Sequence, residues 1–151
     1  MYISTKKFTG YPCTHRQWRD TGHCRFVHGY SREFMFWFKA SSLDDKGWVM
    51  DFGGFKEFKV FLEDYFDHTF LANADDPELP LFQEMDKKGI VKLRVLPSVG
   101  MEGTSKFLFE KMNEYLDKKT QGRVYCFRVE TKENEKNSGI YEADKNGFHA
   151  V

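Results

Sequence analysis

The stretch GHCRFVHGYSREFMFWF, residues 22–38, carries a cysteine, then a histidine four places on and a tyrosine two beyond it, and runs into a block of aromatic residues. Side chains of an extended strand alternate between its two faces. His28, Tyr30, Phe34, Phe36 and Phe38 therefore share one face, opposite Met35 and Trp37. With both faces apolar at the far end, the segment from Cys24 to Ala40 reads as a long, largely buried strand. Two histidines at the spacing of His28 and Tyr30 would suggest a metal site. A histidine followed by a tyrosine leaves open whether a metal is bound.

Outward from this strand, MYISTKKF reads as a first strand ending near Gly10, and THRQWRDTGH as a polar loop. After the turn cluster SSLDDKG comes WVMDF, a short strand. GFKEFKVFLEDYF then places Phe55, Phe58, Leu62, Tyr65 and Phe66 at helical spacing. LANADDPELP reads as a loop and GIVKLRVLP as a strand with Val91, Leu93 and Val95 on one face. TSKFLFEKMNEYLDKK is a second amphipathic helix, with Thr104 or Ser105 as its cap and lysines in its last turn. RVYCFRVET and SGIYEA follow as strands, the first with Cys126, Arg128 and Glu130 on one face. Strands and helices come in blocks, which favours an α+β fold with an antiparallel sheet in a single domain over residues 1–151.

Twenty-three basic residues balance 23 acidic ones, so the chain has no electrostatic footprint for nucleic acid or an anionic membrane. Sixteen Phe, seven Tyr and three Trp within 151 residues fit a chain that packs a core. No signal peptide or membrane span is proposed. Cys13, Cys24 and Cys126 are too few and odd in number for a disulfide framework, so a reducing, cytoplasmic location is expected.

Several residues could carry chemistry, although each singly has an ordinary structural role. Cys24 sits between His23 and Arg25, and a neighbouring cation favours thiolate. Asp67 could orient an imidazole such as His68, provided the two meet, which adjacent residues rarely do. Glu130 ends its strand as a rim carboxylate.

The order of short motifs resembles the family of 6-pyruvoyltetrahydropterin synthase and 6-carboxytetrahydropterin synthase. The residues carrying the resemblance are THR with His15, CRFVHGY with Cys24 and His28, GWVMDF with Asp51 and Phe52, and FDHTFLAN with Asp67 and His68. GTSKFLFEKM with Thr104 and Ser105, and VETKEN with Glu130, complete the order over roughly residues 8–142. The three residues between Cys24 and His28 resemble the carboxy type.

The resemblance implies a tunnelling fold, with two antiparallel helices on one side of a four-stranded antiparallel sheet. It further implies a homo-oligomer, usually a hexamer, with barrel-joined sheets and active sites between subunits. The implied substrate is 7,8-dihydroneopterin triphosphate, in pterin or queuosine biosynthesis. Cys24, Asp67 and His68 are the implied acid–base set, with Glu130 anchoring the pterin and Thr104 and Ser105 also binding substrate. The family's zinc ion is held by three histidines; here the matching positions are His15, His28 and Tyr30, so HGH has become HGY. Phenol is an uncommon zinc ligand because it must lose a proton to bind well. Tyr30 as phenolate, a water, His23, Cys24 or an empty site all remain open. The alternative function is a metal-free paralogue that binds a pterin-like heterocycle without turning it over.

Overall fold

A computed structural model describes residues 1–145; residues 146–151 of the expected domain lie outside the described part. The sheet has six strands in the order β4-β3-β1-β2-β5-β6. They are β1 Tyr2–His15, β2 His28–Ala40, β3 Thr69–Asn73, β4 Leu93–Leu96, β5 Val124–Lys132 and β6 Ser138–Glu142. The expected four-stranded antiparallel sheet is thus enlarged and mixed, because β3 pairs parallel to both β1 and β4. Among the described residues three α-helices accompany it: α1 Lys56–Phe66, α2 Leu79–Lys87 and α3 Met101–Thr120.

The long β1–β2 hairpin is the spine of the sheet. The even positions of β2 from Arg32 to Ala40 are buried while the odd ones are half-buried, so alternation holds along the aromatic run. Phe34 and Phe36 pack against Phe66 and Phe58 of α1. Each fully buried Phe contributes roughly 1.5–3 kcal/mol relative to an exposed one. The helix α1 buries Phe58, Leu62 and Phe66, one stripe at a spacing of four. It runs antiparallel to α3, since Phe61 and Tyr65 meet Phe107 while Glu57 meets Lys119.

Four local expectations are corrected. First, LANADDPELP is a loop only over residues 74–78: Thr69–Asn73 forms β3, which is buried on both faces, and α2 begins at Leu79. Leu71 faces the main core, whereas Phe70 and Ala72 join Phe82 of α2 in a second cluster. Second, WVMDF is not a strand. Arg123 donates to the Ser42 and Val49 carbonyls, and the Asp44 carboxylate accepts the Lys46 and Trp48 amides, so side chains replace the ladder there. Third, Thr104 and Ser105 do not cap α3; Gly100 does, and both hydroxyl residues lie one turn inside, fully buried. Fourth, Cys126 does not share a face with Arg128 and Glu130. Trp37 pairs with Arg128 and Phe38 with Cys126, so Phe127 is bulged out and alternation is reset. Cys126 goes to the core, and Arg128 lies against Trp37 on the other face.

Among the described residues, no helix is long and apolar enough to cross a membrane.

Candidate functional site

The last pair of the β1–β2 ladder is His15 opposite His28. Their rings lie 4.7 Å apart, and the Tyr30 ring stands edge-on to His28 at 5.7 Å. The imidazole of His15 is buried, and its Nδ1 is among the buried nitrogens without a hydrogen-bond partner. Burial first, then the charges of Arg32 and His28, push the His15 pKa down to about 3, so the ring is a neutral lone-pair donor at ordinary pH. His28 Nδ1 lies 2.6 Å from the Phe26 carbonyl. A carbonyl only accepts, so Nδ1 carries the proton and Nε2 of the neutral ring is the free lone pair.

The chain leaves His15 into a loop and returns through the short 3₁₀ turn His23–Arg25, which carries Cys24. Asp20 accepts the Cys24 amide, and Gln17 donates to the Cys24 carbonyl. Arg25 turns away, donating to the Thr21 and Gly22 carbonyls and lying over Phe26. The loop itself is gripped from β3's far end. Asp76 takes Arg16 in a bidentate pair, and Asp75 takes Trp18 and Arg19. A cavity of about 360 Å³ results, lined by His15, Cys24, His28, Glu133 and Ser138 among others.

Asp67 and His68 do meet, contrary to the general expectation for adjacent residues: His68 Nδ1 lies 2.6 Å from Asp67 Oδ1. The backbone of His68 is left-handed, with φ of 58°, and this turns the ring back onto the preceding carboxylate. The dyad is solvent-facing, with the His68 side chain 83% exposed. It borders a different cavity, of about 470 Å³, with Cys13, Tyr30 and Ile90. Among the described residues no contact joins this dyad to Cys24.

Glu130 lies on the sheet face away from the helices and accepts a 2.8 Å hydrogen bond from Ser138. Ser138 also lines the Cys24 cavity, so Glu130 is one hydrogen bond removed from it. Thr104 and Ser105 are placed otherwise than as open substrate contacts. Thr104 accepts from Arg32 and donates to the Val99 carbonyl. Ser105 donates to the Gly139 carbonyl and lies 2.9 Å from the Thr131 hydroxyl. Their hydroxyls are spent on the fold.

Two residues escaped sequence reasoning. Arg32 is fully buried, donating to Thr104 and the Val99 carbonyl. Burial pulls its pKa down, while Cys13 and Glu133 act in the opposite direction. Its signal was legible: it is a charge on the core-facing parity of β2. Glu133 follows β5 on the side of Val129 and Thr131, and its ligand atom falls with those of His15 and His28 in one group. Glu133 also lies close enough to Tyr30 for its charge to act on the phenol. Its charge, then burial, raise the Tyr30 pKa above its ordinary value. The parity of Glu133 with Thr131 could have pointed to it, but it stands within the polar run TKENEK and reads there as solvated surface.

Gly29, between the two site residues of β2, is required by close approach. A Cβ there would stand 2.7 Å from the Cys13 carbonyl oxygen and 2.9 Å from Thr14 Cγ2. Gly29→Ala is expected to wedge β1 from β2 beside the His15–His28 pair and cost about 2 kcal/mol. A chemical melt reading less than a quarter of that loss would show that the strands absorb the methyl.

The profile of the family described as 6-pyruvoyl tetrahydropterin synthase matches residues 4–144. Two curated relatives, the 6-carboxy-5,6,7,8-tetrahydropterin synthases of Rickettsia conorii and Rickettsia felis, are each 33% identical over 76 residues. That match covers 44% of this chain and 55% of theirs, so the chain spans about half the length of the curated relatives it matches. Among solved structures, an uncharacterised protein of Wolinella succinogenes superposes with a TM-score of 0.81 at 20% identity, covering 95% of this chain and 98% of that one. The 6-pyruvoyl tetrahydropterin synthase of Plasmodium vivax gives 0.68 at 14% identity, over 95% of this chain and 99% of the other. That of Caenorhabditis elegans gives 0.61 at 18%, over 95% and 98%. At such identities the likeness is one of fold, and the fold is the tunnelling-type subunit.

Proposed function

The chain belongs to the 6-pyruvoyl tetrahydropterin synthase family, and from that premise we propose that it is a pterin side-chain lyase of the 6-carboxytetrahydropterin synthase type, acting on 7,8-dihydroneopterin triphosphate. The observation that carries the reading is the convergence of Cys24, His15 and His28, from separate segments, on one cavity. The named relatives of the carboxy type support it.

In this reading Cys24, as thiolate, takes the proton from the side-chain carbon that bears a hydroxyl. The Asp67 carboxylate orients His68 and stabilises its imidazolium, so that the pair accepts and returns protons. Glu130 exchanges its Ser138 hydrogen bond for two from the guanidine-like edge of the pterin, a charge-assisted pairing. The imidazoles of His15 and His28 fit a zinc ion, and the orphaned His15 nitrogen is the kind of buried atom such an ion satisfies. A bound zinc would act as a Lewis acid on the side-chain hydroxyls. That His68 borders a different cavity from Cys24 is in keeping with the family pattern on which this reading draws, a homo-oligomer, usually a hexamer, whose complete sites join two copies of the chain.

Mass spectrometry after incubation with 7,8-dihydroneopterin triphosphate tests this directly. The expected products are 6-carboxytetrahydropterin, released triphosphate and a two-carbon fragment, with turnover lost in Cys24→Ala. Substrate left unchanged, both with and without added zinc, would sink the proposal.

A further inference from the structure

We infer that Glu133, rather than the residue at position 30, is the third protein ligand of a divalent-cation site formed with His15 and His28. The inference deepens the proposed function, since it concerns the same cavity, but it stands on its own geometry. One ligand atom from each of the three residues lies within 4.8 Å of the other two. Ligand bonds of about 2.0–2.2 Å put tetrahedral donors roughly 3.4 Å apart, so closing onto an ion needs side-chain movement on the order of 1 Å. A glutamate at the end of a strand can supply that movement by rotamer alone.

A second, independent observation comes from His15. It is 7% exposed, it lines the cavity, and its Nδ1 has no hydrogen-bond partner. A buried imidazole nitrogen left unpaired loses its hydration for nothing in return unless something in the cavity takes its lone pair. His28 is already set as a ligand, its ring held by the Phe26 carbonyl in the manner of outer-shell carbonyls at metal sites.

Tyr30 takes a different place. Its phenol lies within electrostatic reach of Glu133, and its ring stands roughly perpendicular to that of His28. In the inferred site it stands beside the ligand carboxylate as a positioning residue of the outer shell. Charge argues the same way. Arg32 is buried close enough to Glu133 for their charges to interact. A divalent ion with only neutral ligands would add two positive charges to that guanidinium, whereas an anionic ligand offsets one of them. Two imidazoles and one carboxylate suit zinc, with cobalt as its spectroscopic stand-in.

The test uses the full chain, stripped by chelator and titrated with Co²⁺, followed by its visible absorption and by competition with Zn²⁺. The wild type is expected to bind one ion per chain. Glu133→Gln should weaken binding by more than about 100-fold, and Tyr30→Phe by about 10-fold, the lower end of the roughly 10–100-fold range for an outer-shell partner. Both substitutions are nearly isosteric, and circular dichroism checks that each variant is folded. Absence of one-to-one binding by the wild type overturns the inference. So does binding that survives Glu133→Gln but is lost in Tyr30→Phe. None of these readings involves turnover, so a chain that binds cobalt as described yet leaves the pterin unchanged would sink the lyase and keep the site.

Discussion

Asn113→Ala is expected to remove about 4 kcal/mol of folding stability. Asn113 is buried on α3 and faces the bulge in β5, where its amide both donates to the Cys126 carbonyl at 2.9 Å and accepts the Cys126 N–H at 2.8 Å. The same amide donates to Phe109 one turn back, locking its rotamer. The reason this residue is needed lies in the strand order. The strand β6 pairs only with Arg128 to Lys132, so Cys126 sits beyond its end, and Asn113 stands in for the missing strand neighbour. Truncation leaves a buried N–H and a buried carbonyl of Cys126 unpaired, at roughly 1–3 kcal/mol each, and opens a small void besides. For a chain of this length, roughly 2–4 °C of melting temperature goes with each kcal/mol. Urea denaturation should show the midpoint falling with an unchanged slope, and a loss under about 1 kcal/mol would mean that water reaches Cys126.

Asp76→Asn should cost about 3 kcal/mol, and its signature is in the pH dependence. The Asp76 side chain is fully buried, while Arg16 keeps 21% of its side chain exposed, and the two form a bidentate pair at 2.7 and 2.8 Å. Removing one charge of a buried pair costs about 3–5 kcal/mol, and the partial exposure of Arg16 places this case at the lower end. The hydrogen bonds from Arg16 hold the Asp76 carboxyl below its ordinary value of 3.8. In the unfolded chain the group binds its proton first as pH falls. The stabilisation is therefore fully present above about pH 4 and drains away as pH drops through the depressed folded value. The wild type should lose this increment under acid titration, and Asp76→Asn should lack that part of the slope; parallel profiles would refute the assignment. Because Arg16 opens the loop that returns as Cys24, the variant should also slow the proposed reaction by loosening the thiol.

The parts of the fold legible in the sequence are those governed by local periodicity. The alternation from His28 to Phe38 placed His28 on the helix-facing side and set the core face of β2. The spacing of Phe58, Leu62 and Phe66 announced α1. The order of short motifs pointed to the family, because it is a property of the chain read in one direction.

The second layer was not legible. Residues 71–80 are rich in Asp, Pro and Asn and read as a loop. Only residues 74–78 stay a turn; the two ends of the stretch become strand and helix, where Phe70 finds Phe82 and Arg16 lies over that ring. Thr104 and Ser105 read as a helix start, yet α3 begins earlier, at Met101 after Gly100, where no side chain signals it.

The same division runs through the candidate site. Sequence alone determined which chemical groups the chain owns and, through period-two alternation, that His28 and Tyr30 share a face near one strand end; only the family resemblance joined His15 to them. Only the tertiary structure decided that Asp67 turns its neighbour His68 by a left-handed backbone, that a bulge sends Cys126 inward, and that Glu133 arrives beside the two histidines. Each of those outcomes is set by partners elsewhere in the chain: the Pro12 carbonyl that receives the His68 amide, the Asn113 amide, and the β1–β2 pair that brings His15 and His28 to Glu133. A periodicity is written within a few residues, whereas a meeting of distant side chains exists only after the sheet has closed around them.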